Sequence, residues 1–278
     1  MANKWVLNSV QVPLFFLLVQ LVIAVVLLHI SVIFGYFTIP QLQLSTCIGL
    51  VPLIGINVTG LIFNTYCLQY VDASFYQVAR GLVLPFTVLF SFLLLSTRSS
   101  SGILLSVAIV CLGFFLGVSS QHIDASPLGT MLGVFSSLTT SVHAIVVKKS
   151  LNVVKGSTMD LVYYNNLLSA VLLAPLVFLS GESTTVLEMV ALGGPPLKTF
   201  ITGATITGLF GFLICIAGFL SIKVTSPVTH MISSAVRGVI QTFLGKWVFG
   251  DVITAGRGFG ILFILLGSTL YTYVKDRE

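Results

Sequence analysis

Runs of about 20 mostly apolar residues recur along almost the whole chain, and they constrain its fold more than any other feature. A helix of that length spans a bilayer, where the backbone can satisfy its polar groups only in helices or closed barrels. We predict nine spanning helices, near residues 11–35, 45–69, 73–96, 102–119, 128–149, 160–180, 199–222, 226–249 and 255–274. The sequence therefore predicts an all-α polytopic membrane protein, folded as a single transmembrane domain over residues 1–278.

The composition agrees with a membrane protein and argues against several functions. Only 8% of the residues are charged, against about 25% in a soluble domain. The net charge of +5 does not indicate nucleic acid binding, because the basic residues fall mostly in short loops and at the C-terminus. The four cysteines are scattered through apolar runs without metal-ligand spacing: Cys47, Cys67, Cys111 and Cys215. The predicted helices also carry no paired carboxylates and no nucleophile–base set, so we expect no enzyme activity, no cofactor and no metal.

The basic residues also predict the orientation, because short cytosolic loops carry an excess of lysine and arginine. The side of the predicted bundle that holds the C-terminus has seven of them: Arg98, Lys148, Lys149, Lys155, Lys223, Lys275 and Arg277. The opposite side holds or adjoins four: Lys4, Lys198, Lys246 and Arg257. We therefore expect the C-terminus to face the cytosol.

The sequence contains an internal repeat. The stretch 74–95 resembles the stretch 229–250, with "ARG" around Arg80 aligned to "VRG" around Arg237. In both copies a break and a further apolar helix follow. Arg80 and Arg237 are therefore candidates for equivalent positions in two halves of the protein.

The two halves differ in helix count. The second half, 128–274, holds five predicted helices, and an odd number places two copies in opposite orientations, as in the inverted repeats of many transporters. The first half, 1–119, holds only four, because a short stub precedes residue 11. We therefore expect the first helix to be truncated in this chain.

Arg237 lies deep in its predicted helix. It is roughly eleven residues from the helix start, or about 16 Å, near the centre of a bilayer core of about 30 Å. An ionisable residue at that depth is costly and usually faces a cavity, a partner or a ligand. The carboxylates that could neutralise it fall in loops or at helix ends: Asp72, Asp124, Asp160, Glu182, Glu188 and Asp251. The two arginines, Arg237 and Arg80, therefore predict an anionic ligand such as a phosphate, whose oxygens pair with a guanidinium. The alternative is a structural arginine, which binds helix-end carbonyls or extends its side chain to the membrane interface.

The stretch "DLVYYNNLLSA" places four polar side chains in consecutive positions of an apolar helix: Tyr163, Tyr164, Asn165 and Asn166. An asparagine amide offers an acceptor and two donors, which suits the edge of a nucleobase, and a tyrosine ring can stack on a base or reach a ribose. The alternative is polar contact between helices, which is common in membranes. Four such residues together favour a ligand.

Two further features have ordinary interpretations. Lys148 and Lys149 end a predicted helix, where lysines serve as a topology signal and balance the helix dipole, although they could also attract an incoming anion. Asn57 belongs to a glycosylation triplet that lies inside an apolar run, so we expect it to be unmodified.

These motifs resemble those of nucleotide-sugar transporters of the drug/metabolite transporter superfamily, on the branch shared with plastid triose-phosphate translocators. "YYNN" resembles the FYNN motif of that family, and "SSAVR" (233–237) lies where its members carry GALNK or, in GDP-fucose transporters, GTAK. "FNTYCLQYVDASFYQVARGL" resembles the GDP-fucose transporter stretch "FNNLCLKYV…FYNVGRSL", and "HAIVVKK", "GLFGF" and "TSPVTH" have near-identical counterparts there. The resemblance covers essentially the whole chain.

The resemblance implies a ten-helix fold, with Met1 inside the first helix, and a Golgi membrane antiporter that imports GDP-fucose in exchange for GMP. It implies that the "YYNN" motif, with Asn165 and Asn166, faces the base and that Arg237 binds the phosphates. From the residues themselves we expect Arg80 to join the phosphate contacts and Tyr163 or Tyr164 to contact the ring or ribose. We count two more residues among the substrate contacts: Ser233 and Lys149.

Several alternatives stay open at this stage. The substrate could be another nucleotide sugar or a sugar phosphate, and the membrane could be that of the endoplasmic reticulum. A truncated membrane protein that does not transport is a further alternative. The expected partners are membrane lipid, a nucleotide sugar and a nucleoside monophosphate. A homodimer, formed with a second copy of the chain, is a further alternative.

Overall fold

The computed structural model describes residues 2–35, 38–71, 73–95, 100–119, 127–225, 227–249 and 254–277. Over these residues the regular structure is helical, which confirms the all-α prediction. The helices are α1 (Ala2–Ser9), α2 (Pro13–Ile33), α3 (Leu44–Tyr70), α4 (Ala73–Gly81), α5 (Val83–Leu95), α6 (Ser101–Ser119), α7 (Pro127–Ser150), α8 (Thr158–Leu179), α9 (Glu182–Leu192), α10 (Gly194–Val224), α11 (Pro227–Phe249) and α12 (Ala255–Arg277).

Six helical segments of the described chain are long and apolar enough to cross a bilayer. They are the whole of α2, α3, α7, α8 and α10, and the part of α12 from Gly258 to Lys275. Two shorter apolar helical stretches, Val78–Leu93 and Ser101–Leu116, accompany them. The protein is therefore polytopic, as predicted, while the count of nine spanning helices stays a prediction.

The segment predicted as one helix over 73–96 is instead two helices, α4 and α5, separated at Leu82. Pro85 explains the break, because a proline has no N–H to donate to the carbonyl four residues earlier and its ring clashes with that carbonyl. A neighbouring helix supplies a donor next to the break: Ser137 Oγ of α7 donates to Ala79 O at 2.8 Å. The break directly follows the turn of α4 that carries Arg80.

The helices form two compact units, each built from both halves of the sequence. Unit one comprises Tyr66–Ile145 and Thr225–Glu278, and unit two comprises Ala2–Thr65 and Val146–Val224. Unit one thus holds α4, α5, α6, α11, α12 and most of α7. Unit two holds α1, α2, α8, α9, α10 and most of α3.

In unit one the closest helix pair is α6 with α12. A Cβ added at Gly113 of α6 would lie 2.7 Å from Gly260 O of α12, and one added at Gly102 would lie 2.9 Å from a methyl group of Val274. Residue numbers therefore rise along α6 while they fall along α12, so the two helices are antiparallel. Glycine is required at Gly113 because a side chain there would overlap the backbone of the other helix.

In unit two, charged side chains from distant parts of the chain cap two helices. The Glu182 carboxylate accepts hydrogen bonds from Leu14 N at 3.0 Å and Phe15 N at 2.7 Å, in the first turn of α2. Lys148 Nζ donates to Ile222 O at 2.9 Å, in the last turn of α10. These bonds satisfy backbone groups that a helix leaves unpaired at its ends. Glu182 begins α9, a helix that the sequence had indicated only as a connection.

Candidate functional site

Unit two contains a polar cavity of about 140 Å³ between α2, α3, α8 and α10. We call it the amide cavity after its polar lining: Gln20, Asn57, Asn165, Asn166 and Thr207. Leucines, glycines and the ring of Phe212 form much of the remaining wall. An apolar cavity of about 150 Å³ is enough to bind benzene, so the amide cavity has the size for part of a ligand.

The two predicted asparagines lie in this cavity and are nearly fully buried, with 3% of Asn165 and 4% of Asn166 exposed. Asn166 Nδ2 donates to Val162 O at 2.8 Å, which fixes the direction of its amide. Asn165 Oδ1 is buried and has no hydrogen-bond partner among the residues that the structure describes. A buried acceptor left unpaired costs about 1–3 kcal/mol. A residue of the cavity wall thus carries a side-chain acceptor that the described residues leave unpaired.

Three polar lining residues, Gln20, Asn57 and Thr207, come from other helices and are not among the site residues predicted from the sequence. Gln20 Nε2 donates to Thr207 Oγ1 at 2.7 Å and to Asn3 Oδ1 at 3.2 Å. Asn57 Nδ2 donates to Ser169 Oγ at 2.8 Å, so this asparagine packs inside unit two. Gln20 is a single polar residue in an apolar run, whereas the nearest polar neighbours of Asn57 and Thr207 are threonines, so neither run shows a cluster of amides. The resemblance, which extends along α2, was the one available signal for Gln20.

Tyr163 and Tyr164, expected beside the asparagines, do not line the amide cavity. The Tyr164 hydroxyl donates to Gln41 O at 2.7 Å and lines a separate cavity of about 260 Å³. The Tyr163 ring lies 5.8 Å, centroid to centroid, from the ring of His29. The reason is helix geometry: successive residues are rotated by about 100°, so four consecutive side chains cannot all face one cavity.

The two predicted arginines meet in unit one, where α4 packs against α11. Arg80 Nη1 donates to the Tyr76 hydroxyl at 3.3 Å, and Arg237 Nη2 donates to Ser234 Oγ at 3.3 Å. Both hydrogen-bond acceptors are neutral, so these bonds leave the guanidinium charges uncompensated. The two arginines lie within electrostatic range of each other. An anion bound between like charges would relieve their repulsion.

Two histidines belong to the same group, and sequence reasoning missed both. His230 interacts electrostatically with Arg237 and Arg80, and His143 interacts with His230. His230 and Arg237 are seven residues apart on α11, a spacing that puts both on one helix face. We call the full set the arginine cluster: Tyr76, Arg80, His143, His230 and Arg237.

The last two predicted contacts have different surroundings. Ser233 is exposed, and its hydroxyl donates to Thr229 O at 3.4 Å, one turn earlier on α11. Lys149 is exposed at the end of α7, next to the lysine that caps α10. Neither residue lines the amide cavity.

Comparison with known proteins identifies the family. The model of the "Triose-phosphate Transporter family" matches residues 1–272. An uncharacterized transporter of Schizosaccharomyces pombe is 36% identical over 99% of this chain and 71% of its own length. GDP-fucose transporter 1 of Dictyostelium discoideum is 35% identical over 86% of this chain, a match that spans 64% of the relative.

A solved crystal structure shares the fold, with a TM-score of 0.67 over 99% of this chain and 95% of that chain at 14% identity. The sequence matches carry the functional information, and they confirm the resemblance to nucleotide-sugar transporters. The chain belongs to the triose-phosphate transporter family, and its sequence is similar to those of GDP-fucose transporters.

Proposed function

We propose that this protein is a nucleotide-sugar antiporter of the Golgi membrane, which imports GDP-fucose in exchange for GMP by alternating access. The observation that carries the proposal is the pair of buried asparagines in the wall of the amide cavity, of which Asn165 has an Oδ1 without a hydrogen-bond partner among the described residues. Side-chain amides of this kind can hydrogen-bond the edge of a nucleobase, and relatives of this chain bear the name of GDP-fucose transporters.

The proposal assigns the base to the amide cavity of unit two. Guanine presents N1–H and an exocyclic amine side by side, and hydrogen-bond donors of this kind complement the side-chain carbonyl oxygens of Asn165 and Asn166. Phe212, rather than Tyr163 or Tyr164, offers an aromatic ring in the cavity wall. A cavity of about 140 Å³ is small beside the roughly 300–1,000 Å³ of pockets that hold whole ligands. It therefore suits one end of a nucleotide sugar.

The proposal assigns the phosphates to Arg80 and Arg237 of unit one. A guanidinium binds two phosphate oxygens at once and keeps its charge at every physiological pH. Among the described residues, the hydrogen-bond partners of both arginines are neutral, and a diphosphate would supply a negative charge to them. This assignment and that of the base are tested by separate variants.

The proposed mode of transport follows from the repeat. Inverted repeats and broken membrane helices are common in transporters that work by alternating access. The antiparallel packing of α6 against α12, which the sequence aligned as equivalent helices, supports the inverted repeat. The break between α4 and α5, next to Arg80, supports a ligand site there. We also propose that the chain crosses the membrane with nine helices.

Reconstituted exchange tests the function directly. Liposomes that contain the purified protein are loaded with GMP, with UMP or with buffer, and uptake of labelled GDP-fucose is measured over time. We expect uptake that depends on internal GMP and is competed by external GMP. Equal uptake into all three preparations would exclude exchange. Competition by UDP-sugars or sugar phosphates, but not by GMP, would assign the protein to one of the other substrate classes.

A further inference from the structure

Two hydrogen bonds fix the orientation of the Gln20 side-chain amide in the wall of the amide cavity. We propose that Gln20, held by Thr207 and Asn3, is a specificity-determining residue of the amide cavity whose Oε1 accepts from the exocyclic amine of guanine. This inference rests on the proposed function, because it concerns the base that the amide cavity is proposed to bind. It concerns a residue on α2, outside the asparagine pair of α8.

The hydroxyl of Thr207 fixes the direction of the Gln20 amide. Thr207 Oγ1 lies 2.7 Å from Gly203 O, an acceptor to which it donates its single hydrogen. It can therefore only accept from Gln20, and the atom of Gln20 at 2.7 Å from it must be the nitrogen, Nε2. A carbonyl oxygen in that place would face a hydroxyl oxygen with no hydrogen between them.

Asn3 removes the second donor of the same amide. Its Oδ1 accepts from Gln20 Nε2 at 3.2 Å, so both hydrogens of the nitrogen are used within the protein. In the described part of the chain, the hydrogen bonds of Gln20 involve Nε2 alone, which leaves Oε1 for a ligand in the cavity that Gln20 lines. Asn3 lies on α1 and Thr207 on α10, so two helices hold one side chain of α2.

The amide cavity thereby presents an unusual set of groups. Asn166 Nδ2 is directed to Val162 O, and Asn165 Oδ1 is buried without a partner among the described residues. With Gln20 and Asn57, the lining side chains carry four carbonyl oxygens, two on α8, one on α2 and one on α3. These acceptors favour a ligand edge that is rich in N–H donors.

Among the nucleobases, guanine fits this requirement best. Its N1–H and exocyclic amine place three hydrogens along one edge. Uracil offers one N–H between two carbonyl oxygens, which would repel the oxygens of the cavity. We assign Oε1 of Gln20 to the amine, because an amine with two hydrogens can serve acceptors on two helices, whereas N1–H serves one.

Inosine monophosphate provides the matched ligand, because it is GMP without the exocyclic amine. The measurement is competition by GMP, IMP and UMP against labelled GDP-fucose in proteoliposomes of the parent protein and of Gln20→Leu. We expect the parent to prefer GMP over IMP, and we expect Gln20→Leu to reduce that preference roughly threefold to tenfold. Inhibition by UMP should change little.

Variants of Thr207 test whether Gln20 recognises the base or only stabilises the fold. Thr207→Val keeps the shape but removes the hydroxyl that orients Gln20, so it should reduce the GMP to IMP preference as Gln20→Leu does. Thr207→Ser keeps a hydroxyl at this position, so it should keep the GMP to IMP preference of the parent protein. Gln11→Leu, the same substitution at an exposed position before α2, serves as the matched control and should leave all three inhibition constants unchanged.

The outcomes distinguish this inference from the proposed function. Absence of GDP-fucose uptake by the parent protein would overturn the proposed function, and the inference with it. Normal uptake with an unaltered GMP to IMP preference in Gln20→Leu would overturn the inference alone. An equal loss of affinity for GMP, IMP and UMP would also overturn it, because it would show that Gln20 holds the helices together rather than reading the base.

Discussion

Replacement of Arg237 by alanine should abolish exchange and leave the protein folded. In the structure the guanidinium donates to Ser234 Oγ, on the same helix, at 3.3 Å and lies within electrostatic range of the like-charged Arg80. A hydrogen bond that involves a charged group contributes about 1.5–3 kcal/mol to stability, and the loss of like-charge repulsion and of the cost of burying a charge offsets it. The free energy of unfolding without ligand should therefore change little.

The loss of binding should be much larger than the loss of stability. Hydrogen bonds that involve a charged group contribute about 1.5–3 kcal/mol, and each 1.4 kcal/mol is a factor of ten in affinity. Arg237→Ala should therefore weaken GMP and GDP-fucose binding roughly tenfold to hundredfold. Arg237→Lys should recover part of the affinity, because the charge survives while the planar pair of donors is lost.

The assay is binding of GMP to the purified protein in detergent, with the thermal midpoint of unfolding measured on the same samples. Arg277→Ala is the matched control, because Arg277 is exposed at the end of α12, where its guanidinium lies 4.3 Å from the Tyr273 ring centroid. Unchanged GMP affinity in a folded Arg237→Ala protein would refute the phosphate assignment. A midpoint lowered in parallel with affinity would show that Arg237 holds the fold instead.

Four more predictions concern unit two. Asn165→Leu should weaken GMP more than UMP or CMP in competition assays, and equal losses for the three nucleotides would mean that Asn165 only packs. Gly211→Leu should block transport without unfolding the protein, because Gly211 lines the amide cavity and an added Cβ meets no atom within 4 Å; Gly55→Leu, with the same free space but outside the cavity, should not. Glu182→Ala should lower the free energy of unfolding by about 1–3 kcal/mol, because it leaves two backbone N–H groups of α2 unpaired. Burial raises the pKa of Glu182 above its ordinary value of 4.5, so the folded state binds the proton more tightly than the unfolded state does. The free energy of unfolding of the parent should therefore fall as pH rises above that value. Glu182→Gln should lack this dependence.

The spanning helices could be predicted from the sequence because an apolar run of sufficient length has few alternatives in a bilayer. The break at Leu82 was also encoded locally, in Pro85, but the continuous apolar character of the segment outweighed that signal. The helix α9 has a different cause. Its sequence "ESTTVLEMVAL" is too short to span and is flanked by glycines, which favours a connection between spanning helices, whereas the bonds of Glu182 to α2 anchor it as a helix.

The candidate site was predictable only where polar residues cluster in the sequence. Asn165 and Asn166 stood out because they adjoin each other in an apolar helix, and Arg80 and Arg237 stood out because a charge there is costly. Gln20 and Thr207 are 187 residues apart, and nothing in either neighbourhood indicates that they share a hydrogen bond. Tyr163 and Tyr164 lie outside the lining of the amide cavity because adjacency along a helix is not adjacency in space, and their contact with a ligand stays a prediction.

The acceptor-rich character of the amide cavity has a general cause in helical membrane proteins. Every backbone N–H in a helix interior is used once, whereas a backbone carbonyl keeps a second lone pair and can accept another bond. Side-chain donors in such a bundle therefore find partners on the helices themselves, as Asn166 Nδ2 does at Val162 O and Thr207 Oγ1 at Gly203 O. Side-chain carbonyl oxygens find no equivalent supply of donors, and they are left facing the cavity. A transporter that lines its cavity with amides is thereby biased towards ligands that bring their own N–H groups, and of the common nucleobases guanine brings the most along a single edge.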